Sequence, residues 1–428
     1  MKKRCFVKMG AGLFILLLSV SAPGSRLDGP AVISIPGEPD LMEKTAWMQL
    51  DLLMEKDGRI YLVTDEKDRS RLQTAGVPFR DESSRFPVRA PRDASLLSGI
   101  NGAYHSYPEV EQAMMEMENS YPHLAELEIL GQSHELRNIY ALKISGHPGG
   151  NANKARVLFL GAHHAREWIS VEVPLYLARY LLDHYDSDSA IRNLVDSSEI
   201  WIVPLVNPDG LEYSIYYYRY WRKNRRHNRD GSFGVDLNRN YSYKWGYDSL
   251  GSSHNPDSSV YRGPGPLSEP ESQAVRSLVA SRSFQALVSY HSYTQVILFP
   301  WGYTFQPGPE YNLLLDLAEN MSQRMEEVNG RFYEYGQSSI ASYLVNGDTT
   351  DWALGNYGIP AFTFELPPVD YIGGGFFNPE DDILPICREN IPAALYLIQW
   401  AVSRHEEKVS MPRNELERGK GPPGKVKK

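Results

Sequence analysis

The strongest constraint in this sequence is the run Val157-Leu158-Phe159-Leu160-Gly161, which passes directly into Ala162-His163-His164-Ala165-Arg166-Glu167-Trp168. An unbroken apolar run of strand length, stopped by glycine, reads as a central strand of a sheet covered on both faces, because such a strand has no side turned to water. Sheets of that kind bind ligands beyond the carboxyl ends of their strands. The chemistry is therefore expected to begin at His163 or His164.

His164 and Glu167 are three positions apart, so a turn or the first turn of a helix can aim an imidazole and a carboxylate at one point. Catalytic zinc sites take three protein ligands from His and Glu, two close in sequence and one distant, and keep a further position for water. The alternative is a pair of polar loop residues at a strand end. A third ligand and a base have to come from elsewhere in the chain.

Residues 1–24 carry Lys2, Lys3, Arg4 and Lys8, then an apolar run from Gly10 to Leu18, then small residues. That order reads as a secretory signal peptide, and the apolar run is too short for a permanent membrane anchor. The net charge of -9 leaves no nucleic-acid footprint. Of the two cysteines, Cys5 falls in the signal, so Cys387 has no intrachain partner and the exported chain is expected without a disulfide.

Residues 25–98 form a small, more charged unit: a strand pair (47–53 and 59–64), a helix (65–76), then an exposed linker over 84–93 in which Pro87 and Pro91 alternate with Arg85, Arg89 and Arg92. It reads as a propeptide-like unit of α+β type, or as a permanently attached accessory domain. From residue 99 to 404, strands and helices alternate, which implies one large α/β domain: a mixed, mostly parallel sheet covered by helices on both faces. Asn207-Pro208-Asp209-Gly210 reads as a turn after the strand 199–206. Ser268 and Glu271 read as a capping box opening a helix over 268–282. Residues 405–428 lack apolar periodicity and end in a basic stretch, so a disordered tail is expected.

His291 ends the apolar strand 286–290 as His164 follows its own, so neighbouring strands can present both imidazoles at one edge. Glu365 ends a third strand, where a carboxylate is costly unless something pairs with it or uses it; a general base for an activated water is such a use. Arg219, Arg222 and Arg239 lie between these positions. Asn238-Arg239 sits in an apolar context, and a guanidinium beside an amide makes a planar clamp for a carboxylate.

In this order, His164-Ala165-Arg166-Glu167, Asn238-Arg239, His291-Ser292-Tyr293 and Phe364-Glu365 resemble the zinc metallocarboxypeptidases of the A/B type, over residues from about Tyr104 to Arg404. The resemblance implies one zinc ion per chain on His164, Glu167 and His291, with His163 as a neighbour. It implies Glu365 as the base that activates water and passes its proton to the leaving amine, and Arg222 as the oxyanion stabiliser. Asn238 and Arg239 would hold the substrate's terminal carboxylate, and Tyr343 would cover the bound residue. Arg166, Ser292 and Tyr293 would line the next subsites. The expected activity is that of an exopeptidase acting on peptide or protein carboxyl termini.

The family position at the floor of the side-chain pocket falls on Thr350, which enforces neither apolar, basic nor acidic residues. Asp348 stands two positions earlier and can reach a basic side chain, a combination similar to bacterial carboxypeptidase T. Release of apolar or aromatic residues with tolerance of Lys and Arg is expected, against the reading of Asp348 as a turn residue. The alternatives are a catalytically silent peptide-binding protein on the same fold, and a carboxypeptidase specialised for cell-wall or modified peptides. A secreted or periplasmic monomer is expected, with an activating protease as partner and neither nucleic acid nor stable membrane insertion.

Overall fold

The computed structural model describes residues 31–38, 41, 50–56, 58–86, 102–146, 153–369 and 375–410. The expected signal peptide, the residues before Leu50 in the first expected strand, the part of the expected linker after Phe86 and the chain beyond Ser410 lie outside the described residues.

The N-terminal unit is a four-stranded antiparallel sheet of β1 (Ala31–Pro36), β2 (Asp51–Lys56), β3 (Arg59–Thr64) and β4 (Arg80–Asp81), in the order β2-β3-β1-β4. Helix α1 (Glu66–Thr74) follows β3, its start fixed by Asp65 and Asp68 in a capping box. Strand alternation divides the sheet's apolar residues between two faces. Ile33, Ile35, Ile60 and Leu62 join Leu72 of α1 in one core. Val32, Leu53, Tyr61, Val63 and Phe86 pack with Tyr220 and Phe376 of the larger domain. The second face is therefore an interface, and it buries Phe86, which the sequence assigns to an exposed linker.

The large domain opens with α2 (Tyr107–Ser120) and the antiparallel pair β5 (Ala125–Gln132) and β6 (Asn138–Ile144), followed by β7 (Ala155–Gly161), α3 (Ile169–His184), α4 (Ser189–Ser197) and β8 (Ser198–Val203). After α5 (Pro208–Tyr216) come a long loop region, α6 (Pro270–Ser281), β9 (Ala286–Ser292), β10 (Val296–Phe299), α7 (Tyr311–Asn329), β11 (Glu334–Gln337) and α8 (Ser338–Ala341). The chain then forms α9 (Thr349–Tyr357), β12 (Ala361–Leu366) and α10 (Glu380–Ser410). The eight strands lie in the order β11-β10-β12-β9-β7-β8-β6-β5, and the four central ones, β12, β9, β7 and β8, are mutually parallel. This is the mixed, helix-covered sheet that the alternating pattern implies.

Along β7, Val157 and Phe159 enter one core layer with α3 and α10, while Leu158 and Leu160 enter the other with α6 and α9. That two-sided burial is why the strand is apolar throughout. Gly161 ends it for a steric reason: a Cβ there would meet the Ser170 carbonyl at 2.2 Å and the Pro204 carbonyl at 2.6 Å. The three segments that meet at this point carry the polar residues to the sheet edge.

Local signals were redirected at four places. Asn207-Pro208-Asp209-Gly210 opens α5 instead of a turn: the Asn207 side chain accepts from Gly210 N at 3.0 Å, and Pro208 takes the first helical position. Helix α6 starts at Pro270, and Ser268 donates to Glu269 Oε1 at 2.6 Å instead of forming a box with Glu271. Pro174, which by its sequence should delay or kink the helix, sits inside α3, and α10 continues six residues past Arg404, to Ser410.

Candidate active site

The carboxyl ends of the parallel strands converge on one cleft of about 240 Å³ lined by residues of β2, β9, β10 and β12, by the loop that follows β7 and by other connecting loops. Glu365 on β12 is directly opposite His291 on β9, and Gly161 on β7 is opposite Tyr290. The turn after β7 brings His164 and Glu167 to the same point, with Glu167 N bonded to the His164 carbonyl at 3.3 Å.

His164 Nδ1 lies 2.8 Å from Glu167 Oε1, His291 Nδ1 lies 3.0 Å from Glu167 Oε2, and the two Nδ1 atoms are 3.0 Å apart. Two imidazole nitrogens and a carboxylate oxygen thus share one buried point. Facing nitrogens cannot both donate or both accept, so a cation at their centre satisfies all three lone pairs where a proton satisfies only some. The set matches the His and Glu donors of a catalytic zinc site. Burial works against the charge of Glu167, yet the His164 and His291 imidazoles hold its carboxyl below the usual range.

The outer nitrogens are held as well. His164 Nε2 faces Asp236 Oδ1 at 3.2 Å, and His291 Nε2 faces Ser289 Oγ at 3.0 Å. Such partners fix which nitrogen faces the ion. His163 points elsewhere: Nε2 meets the Tyr241 hydroxyl at 2.8 Å and Nδ1 meets Ser289 Oγ at 3.2 Å. Burial drives its pKa well below the ordinary imidazole value, so it is a neutral packing residue.

Asp236 is a functional residue that the sequence pattern did not single out. It is fully buried, and its Oδ2 accepts from Arg222 Nε at 3.0 Å and Nη2 at 2.9 Å, while Oδ1 faces His164. Burial opposes the Asp236 charge, and Arg222 and His164 overcome this and keep the carboxyl well below its usual value. Arg222 Nη1 reaches to 3.9 Å from Glu167 Oε1, so the guanidinium stands beside the metal ligands with its orientation fixed. Glu365 faces the same space from β12. Burial, reinforced by the charge of Glu167, pushes its carboxyl well above the usual range, with Arg222 and Arg239 pulling the other way.

Deeper in the cleft, Arg239 is buried, with Nη1 on the Asn238 carbonyl at 2.7 Å and Nη2 at 3.4 Å from the hydroxyl of Tyr343, a half-exposed residue at the rim. Asn238 Oδ1 accepts from Thr349 N at 2.9 Å and Thr349 Oγ1 at 2.7 Å, which commits the oxygen and turns the amide nitrogen away from Thr349. Asp348 is the N-cap of α9: its Oδ2 accepts from Thr350 N at 3.2 Å and Thr350 Oγ1 at 2.7 Å. Asp348 lines the cleft, whereas Thr350, expected at its floor, does not; its hydroxyl is turned onto Asp348. Asp348 Oδ1 has no hydrogen-bond partner among the described residues, and burial raises the carboxyl above its usual range.

On the opposite wall, Ser292 N donates to Glu167 Oε2 at 3.2 Å. The Tyr293 ring packs edge-on against Phe376 at 4.8 Å, and the Arg166 guanidinium lies 4.2 Å over the same ring. Both polar groups are already engaged from the N-terminal unit: Tyr293 donates its hydroxyl to the Leu53 carbonyl, and Arg166 is paired with Asp51. Strand β2 therefore lies along the mouth of the cleft.

A family profile described as zinc carboxypeptidase matches residues 110–393. Bovine carboxypeptidase O is 36% identical over 299 residues, covering 69% of this chain and 78% of the relative. Mouse carboxypeptidase A4 is 31% identical over 376 residues, 87% of this chain and 84% of the relative. Among solved structures, thrombin activatable fibrinolysis inhibitor superposes with a TM-score of 0.72 at 27% identity, covering 88% of this chain and 99% of that one.

Proposed function

The chain belongs to the zinc carboxypeptidase family, of the carboxypeptidase A/B type, and is a zinc-dependent peptide hydrolase acting at carboxyl termini; from that premise we propose which residues divide the work and what they select. What carries this reading is that Arg239, Asn238, His164, Glu167 and Glu365 line one cleft and that His291 shares one point with His164 and Glu167.

Arg239, buried and always charged, pairs with the substrate's terminal carboxylate, and Asn238 donates its amide to the same group. This makes removal from the end the only productive geometry, since an internal peptide bond offers no carboxylate there. Tyr343 closes over the bound residue from the rim. Zinc on the three ligands, when bound, supplies a Lewis acid that polarises the scissile carbonyl and makes water a stronger acid. Glu365 takes the water proton and later delivers it to the leaving amine; a carboxyl with raised basicity suits both acts. Arg222, aimed by Asp236, donates to the oxyanion that develops on the carbonyl oxygen. Arg166, Ser292 and Tyr293 line the subsites for the residues that precede the scissile bond.

Asp348 gives the side-chain pocket a carboxylate edge, and Thr350 supports that residue from behind. The enzyme releases apolar and aromatic residues and accepts Lys and Arg, a preference similar to that of bacterial carboxypeptidase T. Residues 1–24 direct export to a secreted or periplasmic location, 25–98 act as a propeptide, 99–404 form the catalytic domain, and 405–428 contain the basic tail. No helix among the described residues is long and apolar enough to cross a membrane. The direct test compares wild type with Glu365→Gln on a peptide with a free carboxyl terminus. The variant should keep its zinc and release no amino acid; undiminished release overturns the assignment of the base.

A further inference from the structure

A second cluster of metal-type donors lies outside the cleft, where the β5–β6 loop meets the start of α6. One donor atom from each of His134, Glu269 and Glu271 falls within 4.8 Å of the other two. Both glutamates are fully buried. His134 Nε2 is 2.8 Å from Glu269 Oε2, Arg226 Nη1 donates to Glu269 Oε1 at 2.8 Å, and Asn224 Nδ2 donates to Glu269 Oε2 at 2.9 Å and Glu271 Oε2 at 3.0 Å.

Glu269 draws on Arg226, Asn224, the Ser268 hydroxyl and His134, whereas Glu271 has only the Asn224 amide on Oε2 among the described side chains. Glu271 Oε1 is shut away from water and has no hydrogen-bond partner among the described residues. A buried acceptor left unmatched costs on the order of 1–3 kcal/mol, more when charged, so the cluster is under-supplied with positive charge. Burial pushes the Glu271 carboxyl up to about 7, which reflects the same deficit.

We propose that His134, Glu269 and Glu271 form a second site for a divalent transition-metal ion, one that staples the fold and takes no part in peptide hydrolysis. An imidazole nitrogen with two carboxylate oxygens is a borderline donor set, suited to zinc or manganese more than to calcium. Arg226 and Ser268 occupy Oε1 of Glu269, while Oε2 accepts from Asn224 and is turned toward His134. Through Asn224, the ion ties the start of α6 to the loop that precedes it in space.

The test uses the full chain equilibrated with zinc chloride, cleared of loose metal by gel filtration, and weighed intact by native mass spectrometry. Wild type is expected to carry two zinc ions. Glu271→Gln and His134→Phe are expected to carry one and to keep peptide-release activity, which also reports that they are folded. A His164→Ala, His291→Ala double variant is expected to lose activity and retain one ion. One zinc in wild type, two in both single variants, or none in the double variant overturns the proposal. The His164→Ala, His291→Ala double variant counts the second site alone, so an ion retained there and lost on adding Glu271→Gln supports this site whether or not the catalytic assignment holds.

Discussion

Arg166 and Asp51 close on each other across the boundary between the N-terminal unit and the cleft, with Nη1 2.5 Å from Oδ2 and Nη2 3.0 Å from Oδ1. The guanidinium is nearly buried, and the pair ties β2 to a residue assigned to substrate. If residues 25–98 hold the enzyme inactive, this pair is one of the latches. Asp51→Ala in the full-length chain should weaken that hold by about 1.5–3 kcal/mol, roughly tenfold or more in the population open to substrate. Activity of the full-length variant should rise toward that of protein cut between Arg85 and Ser98. Equal activity of full-length and cut wild type removes the propeptide reading.

Asp236 serves two partners, so its loss should show in two readouts. Asp236→Asn removes the charge and leaves one acceptor oxygen where Arg222 and His164 now use two. Zinc affinity should fall by about 10- to 100-fold, as is typical for losing such an outer partner of a metal-bound imidazole. Titration with a competing chelator measures this. With zinc at saturation kcat should remain depressed, because Arg222 is no longer fixed; full recovery of kcat would confine Asp236 to metal binding.

The carboxylate of Asp348 both caps α9 and edges the pocket, and one substitution separates the two. Asparagine caps a helix about as well as aspartate, so Asp348→Asn leaves α9 intact while removing the charge. Release of terminal Lys and Arg should fall by about tenfold or more, the worth of one charge-assisted hydrogen bond, while release of Phe and Leu changes little. Parallel loss on both substrate classes would mean that Asp348 acts only through the helix.

A pH-dependent contribution to stability is expected far from the chemistry. The hydrogen bond from His105 Nδ1 to Glu172 Oε2, at 2.7 Å, raises the imidazole pKa above its ordinary value. The folded chain therefore holds this proton more tightly than the unfolded chain. The stabilisation is fully present below about pH 6.5 and is lost as pH rises through the raised value. Urea midpoints of wild type and His105→Gln should differ more in mildly acid than in alkaline buffer. A constant difference would show that the pair does not titrate on unfolding.

What the sequence makes legible is what local pattern encodes. Apolar runs ending in His164, His291 and Glu365 mark parallel strands and the edge on which they open, because two-sided burial leaves no other composition for them. Asp236 stayed hidden because its partners, Arg222 and His164, are 14 and 72 positions away, and nothing in its own neighbourhood distinguishes it from a loop acid. Asn207-Pro208-Asp209-Gly210 was misread because the residues that cap a helix also build turns; tertiary packing against Ala162 and His163 decides between them. Thr350 was expected in the pocket from its position, but the helix that starts at Asp348 turns its hydroxyl back onto the cap. Strand β10 escaped because four residues at the antiparallel join between β12 and β11 are too few to show a period.

In the proposed division of work, Arg239 and Asn238 direct the zinc chemistry to the chain end. The measurement that tests it most directly is mass spectrometry of paired peptides, identical except for a free or an amidated carboxyl terminus, each incubated with cut enzyme with and without a zinc chelator. Stepwise loss of single terminal residues from the free acids alone, stopped by chelator and restored by zinc, is the predicted result. Equal trimming of the amides, cleavage at internal bonds, or release that persists in chelator would contradict it.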